Sequence, residues 1–289
     1  MIALTIALAV FVGISLGLLG GGGSILTVPL LAYVAGMDAK PAIATSLLVV
    51  GVTSAVGAIA HARAGRVRWQ IAAVFGAAAM AGAYGGGRLA RFVPGTVLLI
   101  AFAVIMIAAA VAMLRGRKEV ADASVGPLPV VKIVLQGASV GLISGLVGAG
   151  GGFLLVPALA LLGGLPMPVA VGTSLVVISM QSFAGFAGHL ANEQIDWKLA
   201  AMVTAAAVVG SVIGGRLTSY VQPATLRKAF GWFVLVMASV VLAEEVDLRV
   251  GSAVAAATAV AAGMSVACNR YAHCPLRRVL ARRTAAAAR

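Results

Sequence analysis

Two glycine-dense segments, Leu19-Gly20-Gly21-Gly22-Gly23-Ser24 and Val147-Gly148-Ala149-Gly150-Gly151-Gly152, interrupt long apolar runs. Backbone groups without helical partners cost several kcal/mol each in hydrocarbon, so such breaks persist only inside protein or around a wet cavity. Free N–H groups there attract anions. The residues that follow, up to Pro29 and Pro157, would start a half-helix whose N-terminus carries roughly half a positive charge toward the cavity. Glycine permits the close approach of a ligand that such a cradle needs. The candidate anion ligands are therefore Gly20, Gly22, Gly23 and Ser24 with Gly148, Gly150, Gly151 and Gly152. The competing reading is tight helix crossing through small residues, as the Gly13/Gly17 spacing suggests.

Hydroxyls extend this set. Thr45-Ser46 and Thr173-Ser174 follow Pro41 and Pro168 near the start of the next apolar runs. They can donate to an oxyanion or bond back to their own helices. Ser54, Gln181 and Ser182 lie deeper in the same runs and are candidates for a pathway lining, with helix packing as the alternative. His61 and His189 fall near the far ends; either could carry a coupled proton or cap an interface. No Asp or Glu lies inside any apolar run. That disfavours a carboxylate site for sodium or a divalent cation. Paired carboxylates, a phosphate-binding loop and a zinc-spaced cluster are also missing, so no catalytic residue, cofactor or metal site is assigned and the chain does not read as an enzyme. Cys268 and Cys274 near the end flank His273, a trio that could bind a metal in principle; they are read as reduced thiols where the last span meets the cytoplasm.

The elements that must hold these groups are membrane helices. Of 289 residues, 62% are hydrophobic and 10% charged, with a mean hydropathy of +1.09, which no ordinary soluble domain matches. Apolar runs near 42–62, 69–91, 95–114, 169–190, 197–220, 225–243 and 249–267 have roughly the 20 residues that cross about 30 Å of hydrocarbon. Two longer runs, 2–36 and 130–165, contain the glycine breaks. No Lys or Arg precedes Lys40, so the N-terminus is expected to be retained rather than cleaved as a signal peptide. The net charge of +13 comes from short loops and a tail beside apolar runs. Membrane topology explains it better than nucleic acid does.

The chain is one unit written twice. A shift of 128 positions aligns Gly13–Phe102 with Gly141–Phe230 without a gap. Gly13, Gly17, Gly20, Gly22 and Gly23 meet Gly141, Gly145, Gly148, Gly150 and Gly151; Thr45-Ser46, Ser54, His61 and Trp69 meet Thr173-Ser174, Ser182, His189 and Trp197. The expected division is an N-terminal repeat over 1–114, a cytoplasmic linker over 115–129, a C-terminal repeat over 130–245, and an extra helix with a basic tail over 246–289. Internal duplication of this kind is the arrangement of secondary transporters. If each broken run turns back as a hairpin, the repeats are inverted, and 16 of the 21 Lys and Arg fall on the cytoplasmic side, as cytoplasmic loops retain positive charge. If each broken run crosses once, the repeats are parallel and 9 fall inside, or 15 when 249–267 does not cross. The fold class expected is an all-α integral membrane protein of two inverted repeats, each a glycine-broken hairpin plus three transmembrane helices.

The order glycine break, Val-Pro, Ala-Thr-Ser-Leu, Ser, His, then Gly-x-Val-x-Trp over Gly20–Trp69, repeated over Gly148–Trp197 with Gly172-Thr173-Ser174-Leu175, resembles the TauE/SafE sulfite exporter family. The resemblance covers roughly residues 3–243. It implies a multi-pass transporter of the cytoplasmic membrane, exporting sulfite, organosulfonates or related sulfur oxyanions. Glu193-Gln194-Ile195-Asp196 stands where the first copy has Gly65-Arg66-Val67-Arg68, so one loop departs from the basic form. Residues 246–289 exceed the family pattern, and the tail is expected on anionic lipid at the cytoplasmic face. The partners expected are a small anionic substrate and the bilayer, not nucleic acid, with a homo-oligomer left open. The alternatives are an anion channel, a carrier of another solute, or a non-transporting assembly partner.

Overall fold

The structure is a computed structural model, and it describes residues 2–19, 22–114, 130–148, 155, 167–190, 193–217, 223–246 and 256. Every regular element among the described residues is helical. Helix α1 (Ile2–Leu19) is followed by a return segment, Gly22–Val34, then α2 (Ala39–Arg63), α3 (Trp69–Ala90) and α4 (Gly95–Leu114). The second copy supplies α5 (Val130–Val147), α6 (Met167–Leu190), α7 (Trp197–Leu217) and α8 (Pro223–Glu245). Among the described residues, three helical stretches are long and apolar enough to cross a membrane, namely Ala39–Arg63, Val169–Leu190 and Trp197–Leu217. The linker 115–129, the expected span at 249–267 and the basic tail lie outside the described residues, apart from residue 256.

The return segment shows what a glycine break does to a helix. Gly22–Leu26 tightens to a 3-10 turn, Thr27–Pro29 is α-helical, and Leu30–Val34 widens to a π-turn. A Cβ on Gly23 would strike the backbone of Leu16, so only glycine lets the chain fold back there. Leu30 and Leu31 then pack in one cluster with Ala9 of α1, and the segment runs back along its own helix. At the other end of α2, Gly65 takes a left-handed φ of 68°. The Gly65 N–H donates to the Ala62 carbonyl and the Arg66 N–H to the His61 carbonyl, a Schellman stop that satisfies the last open carbonyls.

Packing between the copies follows one rule. Helix α1 packs on α7 and α3 on α5; α3 also packs on α6 and α2 on α7, while α2 pairs with α6 and α4 with α8. Each contact has a counterpart under the 128-residue shift. In the first pair, Gly13 faces the Ala207 carbonyl, Gly17 that of Ser211, Gly210 that of Val10 and Gly214 that of Ile14. In the second, Gly141 faces Ala79, Gly145 faces Ala83, Gly82 faces Ala138 and Gly86 faces Leu142. These eight glycines bring backbones close enough for dispersion and weak Cα–H···O contacts to hold helices that lipid does not push together.

Helix directions come from the same contacts. Gly51 meets Phe183, Gly57 meets Leu175 and Gly185 meets Leu47, so the equivalent helices α2 and α6 run antiparallel. Gly76 meets Met180 while Gly188 meets the Tyr84 carbonyl, so α3 runs parallel to α6. The Gly141–Ala79 and Gly145–Ala83 contacts make α5 parallel to α3 as well. Val147 and Met167 therefore lie at opposite ends of the bundle.

Candidate functional site

The α2·α6 pair carries most of the residues singled out by the sequence. Thr45, Ser46, Ser54, Thr173, Ser174, Gln181 and Ser182 are all fully buried. Ser46 Oγ lies 2.7 Å from the Ile43 carbonyl and 2.8 Å from the Gly148 carbonyl. Gly148 itself has φ 76° and its N–H donates to Ser144 at 2.9 Å, the left-handed cap that ends α5. A Cβ there would sit 2.9 Å from both Ile43 Cγ2 and Ser46 Oγ. Gly148, the first glycine of the second break, thus docks on Ser46 and Ile43 of the first copy. Gly20, Gly150, Gly151 and Gly152 lie outside the described residues; Gly22 is in the 3-10 turn, and Ser24 is buried two residues on.

The hydroxyls divide into bonded and free. Ser174 Oγ donates to the Val171 carbonyl at 2.8 Å, the same back-bonding that Ser46 makes to Ile43. Thr173 Oγ1 accepts the Arg68 N–H at 3.0 Å. Among the described residues Thr45 Oγ1, Ser54 Oγ and Ser182 Oγ have no partner. Native proteins leave few buried polar atoms unsatisfied, and each one asks for an explanation.

The structure does not gather the two Thr-Ser pairs into one cradle. With Gly57 level with Leu175 and Leu47 with Gly185, Ser174 stands beside residue 58 of α2, about 18 Å along the helix from Ser46 at 1.5 Å per residue. Ser54 and Ser182 fall near the midpoint, where the Gly51–Phe183 contact sets the level. The candidate residues form a row along the pair, with one Thr-Ser pair at each end.

The histidines differ although the sequence presents them as equals. His189 is 2% exposed, and its Nε2 lies 2.8 Å from the Gly145 carbonyl, inside the bundle rather than at a loop contact. His61 is half-buried beside Gly172 and the Arg66 carbonyl. Trp69 and Trp197 are exposed, Trp197 meeting Phe186 edge-on at 6.2 Å. Arg88 and Arg216 are exposed.

A cavity of about 600 Å³ opens at the Thr45 end of the pair. Lys40 and Pro41 from the first turn of α2, Tyr33, Asp38, Thr96, Glu193 and Glu245 line it. Sequence reading passed over this vestibule because its residues come from four separated stretches. Lys40 Nζ donates to the Arg91 carbonyl at 3.1 Å, and Tyr33 Oη to Glu245 at 3.2 Å. Burial pushes the Glu193 carboxyl above its usual range, with the Lys40 charge opposing. Among the described residues no group of three or more His, Cys, Asp or Glu could hold a metal ion.

The family model for the sulfite exporter TauE/SafE matches residues 5–241. The chain belongs to this family. A probable membrane transporter protein of Xylella fastidiosa is 33% identical over 245 residues, covering 82% of this chain and 94% of that protein. The probable membrane transporter protein YdhB of Bacillus subtilis is 25% identical, covering 78% and 94%. A Haemophilus influenzae relative of the same description is 26% identical, covering 82% and 96%. No solved structure matches. The chain is a membrane transporter rather than an enzyme, and its matched region ends at residue 241, before the segment that exceeds the family pattern.

Proposed function

We propose that this transporter exports a small sulfur-containing oxyanion, such as sulfite or an organosulfonate, by alternating access between two oppositely oriented repeats. The observation that carries the reading is the row of buried hydroxyls on α2·α6. Thr45, Ser54 and Ser182 lack partners, and an unsatisfied buried hydroxyl costs about 1–3 kcal/mol. An oxyanion supplies the acceptors they lack. It also suits a pair of helices with no Asp or Glu along either one.

Opposite orientation is supported by the antiparallel packing of α2 with α6, since these are the same helix in the two copies. The charge count adds to it, since inversion would put 16 of the 21 basic residues on the cytoplasmic side. On that orientation Arg63, Arg66, Arg68 and the tail face the cytoplasm, and Lys40 and Arg91 the opposite side of the inner membrane. The sulfur atom in the substrate rests on the family alone.

Purified protein in vesicles loaded with sulfite, a sulfonate or thiosulfate tests the reading. Efflux should saturate with concentration and exceed that of protein-free vesicles. Equal rates with and without protein for all three anions would sink it.

A further inference from the structure

The two copies obey the 128-residue relation along the helices and break it at the ends of α2·α6. At one end the Arg66 carbonyl lies against Gly172, where a Cβ would collide with it, and the Arg68 N–H donates to Thr173 Oγ1 at 3.0 Å. Val67 between them is buried. Shifting each residue to its counterpart gives Gln194 against Ala44, and the Asp196 N–H on Thr45 Oγ1. That bond is absent: among the described residues Thr45 Oγ1 has no partner. Thr45 is fully buried, and the cavity of about 600 Å³ opens at the same end of the pair, a turn away, lined by Lys40, Pro41 and Glu193.

We infer that residues 66–68 and 194–196 are reciprocal gates, and that transport passes through a mirror conformation in which the Asp196 N–H bonds Thr45 Oγ1 and the Arg68–Thr173 bond is released. The proposal rests on the alternating-access reading above. In the structure the 66–68 gate is shut and the Lys40 end is open. The chemistry of exchange is balanced, because each gate trades one backbone-to-hydroxyl bond for its counterpart. The sequence also explains the bias. Glycine at 172 admits the Arg66 carbonyl, whereas the methyl of Ala44 at the equivalent place holds the Gln194 carbonyl off. One methyl group thus sets which gate closes more firmly.

The test uses the full chain in vesicles with Cys268→Ser and Cys274→Ser. Two cysteine pairs are added separately, Arg68→Cys with Thr173→Cys and Thr45→Cys with Asp196→Cys. Both pairs should form disulfides. In each locked protein, and in the protein with neither lock, a reporter cysteine at Lys40→Cys or at the buried position Val67→Cys reports access to a polar maleimide. The first lock should leave the Lys40→Cys site reactive and protect Val67→Cys; the second should reverse this. With neither lock, Gly172→Ala should raise labelling at Val67→Cys several-fold, and Ala44→Gly should lower it at Lys40→Cys. A second pair that never cross-links while the first does, or labelling indifferent to lock and substitution, would overturn the gates. Normal flux with either lock closed would overturn them too. If labelling switches as described but no sulfur anion is carried, the gates stand and the substrate reading falls.

Discussion

Ser46 Oγ stands 2.8 Å from the carbonyl oxygen of Gly148, joining α2 to the end of α5 across 102 positions of sequence. The same hydroxyl lies 2.7 Å from the Ile43 carbonyl, so its single proton is shared between its own helix and the other repeat. Through this contact Gly148 at the end of α5 in one copy is tied to a hydroxyl on α2 in the other.

Gly148→Ala should therefore be costly. A non-glycine residue at φ 76° loses about 1–2 kcal/mol from left-handed geometry, and its methyl would press on Ile43 and Ser46 at 2.9 Å. Gly36→Ala and Gly65→Ala have φ of 71° and 68° but meet nothing within 4 Å, so they isolate the backbone share. Thermal unfolding in detergent should show Gly148→Ala losing more than either control. Equal losses for all three would show that the contact with α2 carries no weight.

The helix-crossing glycines give a paired comparison. Gly13→Ala and its counterpart Gly141→Ala each place a methyl against a facing carbonyl, Ala207 and Ala79, and should cost about 1–3 kcal/mol as overpacking does. Gly85→Ala in α3 meets nothing within 4 Å and should be neutral or gain up to about 1 kcal/mol in helix propensity. Stability measured by chemical denaturation in micelles checks this. A tolerated Gly13→Ala beside a damaging Gly141→Ala would mean the two interfaces are not equivalent.

Helix positions were legible because apolar runs are local signals, and the expected run at 69–91 appears as Trp69–Ala90. The 128-residue register was visible in the sequence itself. What the residues do together was less so. Thr45-Ser46 and Thr173-Ser174 look like two halves of one site, yet antiparallel pairing of α2 with α6 puts them at opposite ends of a row, since a repeat shift carries no information about direction. His61 and His189 look alike until α5 closes over one of them, giving His189 the Gly145 carbonyl. The vestibule around Lys40 and Glu193 has no sequence signal, because it exists only where four stretches meet.

Glu193 gives the structure a pH signature. Burial raises its carboxyl above the ordinary range, against the pull of Lys40. A carboxyl raised in the folded state contributes stability that is present below its unfolded pKa and is lost as pH rises through the folded value. Glu193→Gln stays neutral throughout, so it should be more stable than the parent near neutral pH and converge with it in acid. Midpoints of thermal unfolding between pH 4 and 8, roughly bracketing the carboxylate range, would read this. A variant less stable than the parent at neutral pH contradicts the burial argument.

The free hydroxyls separate a transport role from a packing role. A hydroxyl that only packs contributes to stability through its bond, and Ser46→Ala should cost about 0.5–1.5 kcal/mol for the shared one it makes. Thr45→Val, Ser54→Ala and Ser182→Ala remove atoms that bond nothing in the structure, so each should leave stability unchanged or slightly raised. If these hydroxyls donate to a passing oxyanion, each loss removes one charge-assisted hydrogen bond, about 1.5–3 kcal/mol, or roughly a 10- to 100-fold weaker apparent affinity. Opposite signs in the two measurements, firmer fold and poorer uptake, are what a binding row predicts and a packing row does not. Uptake unchanged in all three variants would remove the hydroxyls from the path and leave the glycine breaks to carry the anion.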